Sequence, residues 1–211
     1  QVYTSENNSW LFEFPSLPKG RFNSVCFVYR DSLYVFGGTD NSSNMNEIVR
    51  YDLSTQNSGE WTTIAKVNEA NQRGGVAFVV EDKVYAGLGE KSNGIRNGFY
   101  VSSDSLTKWE LIPSIPAQLG VISSGVYDEQ KKSFFMIDND GKIWEYNLTT
   151  EQWTSRSLWI RMKNYHMFML DGSIYILGQD IYQRINSLYT IQYGIIEYEQ
   201  SNYLRRNPEK C

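Results

Sequence analysis

Apolar residues occur along this chain in short runs separated by polar turns. Val25–Tyr29 is a first apolar run and meets a polar turn at Arg30 and Asp31. Residues 33–36 form a second run that stops at Gly37 and Gly38, residues 48–53 a third, and Trp61 opens a fourth. Runs this short, rich in β-branched and aromatic residues and bounded by Gly, Asn, Asp and Ser, predict strands joined by turns. The order returns from Arg73 to about Ile112, with Gly87-Leu88-Gly89, residues 99–101 and Trp109 in the matching places. A third round runs from Leu119 to about Leu158, through residues 126–127, 134–137 and 143–146 to Trp153. There Asp138-Asn139-Asp140-Gly141 replaces the glycine pair with a tight turn. A fourth starts at Arg161, with residues 168–170, 174–178 and 187–193, and has no Trp of its own. Upstream of all four, residues 10–14 read as an isolated Trp-bearing strand closed by Pro15 and Pro18.

Three marks recur in order: Gly37–Gly38 closing a second strand, Tyr51–Asp52 ending a third, and Trp61 in a fourth. Together they resemble a kelch repeat. Trp10, Trp61, Trp109 and Trp153 are spaced by 51, 48 and 44 residues, close to the blade length of about 50 in kelch arrays. The resemblance implies an all-β chain, a β-propeller of kelch-like four-stranded blades with about four blades here. It spans residues 10–200, between a loose segment 1–9 and a polar tail 201–211. Kelch-like propellers usually have five to seven blades. An incomplete ring would expose the apolar faces of its end blades. The strand count therefore favours a closed four-blade unit, in which residues 10–14 supply the fourth strand of the last blade. The alternative gives that role to residues 195–199 and makes the chain part of a longer propeller.

Composition changes this picture little. With 211 residues, 41% hydrophobic and 21% charged, the chain can bury a substantial core and is not of a disordered type. A net charge of −4 without a basic block argues against a nucleic-acid footprint. No apolar run is long enough to span a membrane as a helix, and no signal peptide is visible. The first residue is Gln1, which reads as a processed or excised chain. Cys26 falls in a predicted inner strand and Cys211 ends the polar tail, so two free thiols are expected. Sequons begin at Asn7, Asn41 and Asn147 and matter only in a eukaryotic secretory host.

Three repeats place an arginine just before the first strand: Arg21, Arg73 and Arg161. In a propeller the first strand lines the central channel. Three guanidiniums there would converge at a channel mouth suited to a carboxylate ligand. The competing reading has each arginine bonding carbonyls of a neighbouring turn. The loops between second and third strands, residues 39–46, 90–97 and 179–186, are rich in Asn, Ser and Gly and carry Arg96, Tyr182 and Arg184. Amides with aromatics suit sugar binding, and they equally suit plain solvated loops. His166 is the only histidine and follows Tyr165 in a predicted inner strand, where it would face the channel or sit satisfied in the strand. One histidine excludes a His-rich copper or zinc centre. It therefore excludes the copper site of galactose-oxidase-type kelch propellers, and no cofactor is implied. The 138–141 turn lacks the downstream Glu of a calcium loop and reads as a hairpin turn.

These residues favour a non-catalytic binding module that holds a protein or glycan partner on a propeller face or channel mouth. The alternative is an enzyme resembling metal-independent kelch-type epimerases or mutarotases of sialic-acid-like sugars, which rests on the arginine ring alone. An intracellular substrate adaptor would need a partner domain. Repeats rich in Asn, Lys and Tyr resemble those of a bacterial envelope, periplasmic or secreted protein more than an animal adaptor, with a cytoplasmic location as the alternative.

Overall fold

The computed structural model describes residues 2–4, 7–11, 15–55, 58–94, 98–103, 105–113, 115–157, 162–180, 186–192 and 195–199. They form four antiparallel sheets of four strands, each a meander in chain order, and one two-stranded hairpin. No α-helix occurs among them. The chain divides into two compact units, Gln1–Pro113 and Ser114–Cys211.

The first unit opens with the hairpin of β1 (Val2–Thr4) and β2 (Ser9–Leu11), in which Tyr3 pairs with Trp10. The segment expected to be loose up to residue 9 therefore supplies a strand. The Trp10 strand is paired with β1, and does not complete the last blade. Two blades follow. The first comprises β3 (Val25–Tyr29), β4 (Ser32–Phe36), β5 (Glu47–Asp52) and β6 (Thr62–Lys66). The second comprises β7 (Val76–Val80), β8 (Lys83–Gly87), β9 (Phe99–Ser103) and β10 (Glu110–Leu111).

Period-two alternation decides which face each strand buries. In β3, Val25, Phe27 and Tyr29 are buried while Cys26 and Val28 are exposed. The buried face joins Tyr34, Phe36 and Ile48 in a core shared with Ala70 of the link between the blades and with Val84, Ala86 and Leu106 of the second repeat. Trp109 packs edge-on against Phe36 with ring centroids 5.2 Å apart. Polar seams close both ends of this interface. The Tyr29 hydroxyl donates to the Asp82 carbonyl (3.1 Å) at one end. At the other, the Gly38 N–H donates to the Gln72 carbonyl (2.8 Å) and the Gly74 N–H to the Asn23 carbonyl (2.7 Å).

The second unit holds β11 (Ile122–Asp128), β12 (Ser133–Asp138), β13 (Lys142–Asn147) and β14 (Gln152–Ser157) as one blade. The other is β15 (Met162–Leu170), β16 (Ser173–Asp180), β17 (Asn186–Gln192) and β18 (Ile195–Glu199). Phe135, Ile137 and Ile143 pack against Tyr165, Met167, Ile174 and Ile176 across the pair. The expected closure is corrected here: Ile195–Glu199 provides the fourth strand of the last blade, pairing along β17. A local antiparallel neighbour needs only a short turn, whereas a strand from the far terminus has a long loop to close. The 138–141 segment is the expected hairpin turn. One Asp138 carboxylate oxygen accepts the Asp140 and Lys142 N–H groups at 3.0 and 2.9 Å, and the other accepts the Trp144 indole N–H at 2.8 Å. That aspartate is a structural anchor, since both oxygens are engaged and it is buried.

Candidate binding face

The ladder registers of the first two blades superpose with a constant step, pairing Val25 of β3 with Phe36 and Val76 of β7 with Gly87. The isolated bridges Phe22–Thr39 and Arg73–Glu90 keep that step. Arg73 therefore stands where the first blade has Phe22, and Arg21 stands where the second has Gln72. The two arginines are one position out of phase. A one-residue shift along extended chain reverses the direction of a side chain, so they do not form one ring.

Their surroundings follow from this. The Arg21 side chain is fully buried and donates to the Gly37 carbonyl (3.2 Å) and the Glu47 carboxylate (3.1 Å). Gln72, its counterpart, is also buried, accepting from the Gly89 N–H (3.1 Å) and donating to the Gly74 carbonyl (3.2 Å). Both side chains satisfy backbone groups of the glycine turns, so Arg21 is structural and does not present a charge to a ligand. Arg73 is about half exposed and grips Glu90 through Nε and Nη2 at 3.1 and 2.9 Å. Tyr165 is buried in the core of the second unit, against the Gly141 turn, and is likewise withdrawn from ligand binding. His166 lies on the exposed side of β15, opposite Leu177. Arg161, Arg96, Tyr182, Arg184 and Cys211 lie outside the described residues.

One surface remains. At the end of the first unit where β3 and β7 begin, Phe22, Asn44, Arg73 and Glu90 form a continuous hydrogen-bonded seam. Phe22 bridges to Thr39, Thr39 bridges to Asn44, and the Asn44 amide donates to the Glu90 carbonyl (2.8 Å). Phe22 is 46% exposed and offers its ring at this surface. The sequence pattern alone does not single it out, because Arg21 beside it, like Arg73 and Arg161, stands just before an apolar run. The signal that finds it is the constant strand register, which puts Phe22 and Arg73 at equivalent positions.

Asp40 braces the loop behind this seam. Lys19 (2.5 Å), the Ser42 hydroxyl (2.6 Å) and the Ser42 and Ser43 N–H groups (both 3.1 Å) surround its carboxylate. The Lys19 ammonium first, and then these donors, hold the Asp40 carboxyl far below its usual range. A depressed folded-state value means the loop's support from Asp40 is complete at neutral pH and is lost only as pH falls below the ordinary Asp value toward the folded one. A carbon-detected NMR titration should place the Asp40 inflection below that of an unperturbed Asp, about 3.9. An inflection at or above that value would mean that Lys19 does not pair with Asp40 in solution.

Among the described residues, no three His, Cys, Asp or Glu side chains come together as a metal site. No helix among them is long and apolar enough to cross a membrane.

A family profile described as "Kelch motif" matches residues 20–68. No curated protein matches the chain. Among solved structures, one described as "Structure of YjhT" is similar in fold, with a TM-score of 0.68 at 9% sequence identity. The match covers 89% of this chain and 67% of that one. The profile falls on the first blade, whose glycine pair, Tyr51 and Trp61 carry the repeat's marks. The chain thus carries a matched kelch motif in its first blade, and its fold is that of a β-propeller chain with about four four-stranded blades.

Proposed function

We propose that this chain is a non-catalytic binding module that holds a glycan or protein partner on the face carrying Phe22, Asn44, Arg73 and Glu90, outside the cell or at a bacterial envelope. The observation that carries this reading is the half-exposed Phe22 ring set beside a half-exposed guanidinium and a part-buried carboxamide. A flat apolar ring that offers stacking, next to fixed polar groups, is the usual composition of a sugar or peptide contact surface. Glu90 orients Arg73 without burying it, so the guanidinium keeps N–H groups for a ligand.

The sugar-epimerase alternative has lost much of its support. It rested on three converging arginines, and Arg21 is turned into its own blade against Glu47.

The test is saturation-transfer NMR of the full chain against a panel of neutral and acidic sugars, alongside a peptide library. Phe22→Ala should weaken the best ligand by about tenfold, the typical loss of an aromatic anchor. Arg73→Ala should weaken it too, while both variants keep their circular dichroism. Binding that ignores both substitutions would move the ligand elsewhere. Accelerated anomer or epimer exchange of any sugar would overturn the non-catalytic reading.

A further inference from the structure

In the first and third blades, one hydrogen-bonded cross-strand quartet stands at the end where β4 and β12 begin. In the first blade it is Ser32, Arg50, Asp52 and Thr62, by the pairings Ser32–Asp52 and Arg50–Thr62. In the third it is Ser133, Glu145, Asn147 and Thr154. Both quartets are closed by their own hydrogen bonds. Arg50 donates to Ser32 (2.9 Å) and Asp52 (3.3 Å). Asn147 donates to Ser133 (3.0 Å), and Thr154 to Glu145 (3.4 Å).

The second blade breaks the pattern. The same register holds Lys83 opposite Ser103 and Val101 opposite Glu110. Val101 is too short to fill the space that Arg50 or Glu145 occupies, and a cleft of about 380 Å³ opens there. It is lined by Lys83, Val101, Ser103, Ser105, Lys108 and Glu110, with Ser102 behind them. The Ser102 hydroxyl donates to the Lys108 carbonyl (2.5 Å), which fixes the loop bearing Lys108. Among the described residues, the Lys83, Ser103, Lys108 and Glu110 side chains make no hydrogen bond or ion pair. Where the sister blades satisfy these positions internally, this one leaves two ammonium groups, a hydroxyl and a carboxylate facing an open space.

We infer that this cleft is a second binding site, for a small hydroxylated carboxylic acid such as a sugar acid. Lys83 and Lys108 supply cations for the ligand carboxylate, and Glu110 and Ser103 accept from and donate to its hydroxyls. The volume lies at the lower end of the range for small-molecule sites, which suits a single sugar ring. The site lies at the opposite end of the second blade's strands from Arg73, and does not depend on the function proposed above.

The test is an amide-detected NMR titration of the full chain with D-glucuronate, using D-glucose and acetate as comparators. Glucuronate should give saturable shifts at Lys83, Val101 and Ser103, and each comparator should bind at least about tenfold more weakly. Lys83→Met should cost about tenfold in affinity, the loss expected for one charge-assisted contact. Val101→Arg places in β9 the side chain that β5 carries, and should fill the cleft and abolish binding with the fold intact. Arg73→Ala should leave the saturation read at Lys83, Val101 and Ser103 unchanged. No saturation, equal response to all three probes, undiminished binding by Val101→Arg, or loss of binding in Arg73→Ala would each overturn the assignment.

Discussion

Replacing Gly37 with alanine is expected to destabilise the first unit by about 3–4 kcal/mol, through overpacking against rigid backbone and a positive φ. Gly37 has φ +64°, and a Cβ there would lie 2.4 Å from the Ala70 carbonyl oxygen and 2.8 Å from that of Gln72. Both are backbone atoms of the link to the next blade, so nothing flexible can give way. The second blade provides an internal control. Leu88 occupies the equivalent position with φ +64° and is fully buried. The left-handed backbone is therefore tolerable for a side chain that has room, and the contact with Ala70 and Gln72 is what demands glycine at 37. Urea unfolding of Gly37→Ala and Leu88→Gly should separate the effects. The first should lose several kcal/mol, and the second about 1–2 kcal/mol as lost burial is offset by relief of strain. A Gly37→Ala protein as stable as the parent would show that the blades move apart at no cost.

Arg21→Ala is the second large effect. It is expected to cost about 3 kcal/mol, the lower end of the range for breaking a buried ion pair. The loss has three parts: the Gly37 carbonyl and Glu47 lose their donor, and a fully buried side chain leaves a void. Glu47 keeps some water and a Lys66 contact at 3.6 Å, which limits the penalty. The same substitution should leave ligand affinity of the folded protein unchanged. Arg73→Ala should do the reverse, changing stability little, because exposed ion pairs contribute at most about 1 kcal/mol. Thermal melts and ligand titrations on both variants check the contrast. If Arg21→Ala weakens binding without lowering stability, the buried pair is misassigned.

The same two arginines show how far the amino-acid sequence could be read. Strand runs, turn residues and the spacing of Trp61, Trp109 and Trp153 are local signals, and the blades fall where those signals lie. In the structure Tyr51 packs on Trp61 and Tyr146 on Trp153, with ring centroids 5.3 and 4.9 Å apart, which joins the third and fourth strands of each of these blades. Register is not a local signal. Arg21 and Arg73 look equivalent because each precedes an apolar run. Pairing with Thr39 and Glu90 shows that Phe22, and not Arg21, is the partner position of Arg73.

Which strand completes a sheet was also beyond the one-dimensional pattern. Residues 10–14 and residues 195–199 both read as spare strands. The choice turned on which neighbour each could reach: β2 folds onto β1, and β18 onto β17. The cleft of the second blade belongs to the same class, because Val101 is an ordinary strand residue until it is seen opposite Glu110 and in the place of Arg50.

By itself, then, the sequence determined the all-β class, the kelch-like repeat and the turn chemistry, because strand propensity, alternation and glycine placement act over a few neighbouring residues. Only the tertiary structure decided which charged groups are buried, which are open to a ligand and which strand closes each blade, because those depend on register between strands far apart in the chain.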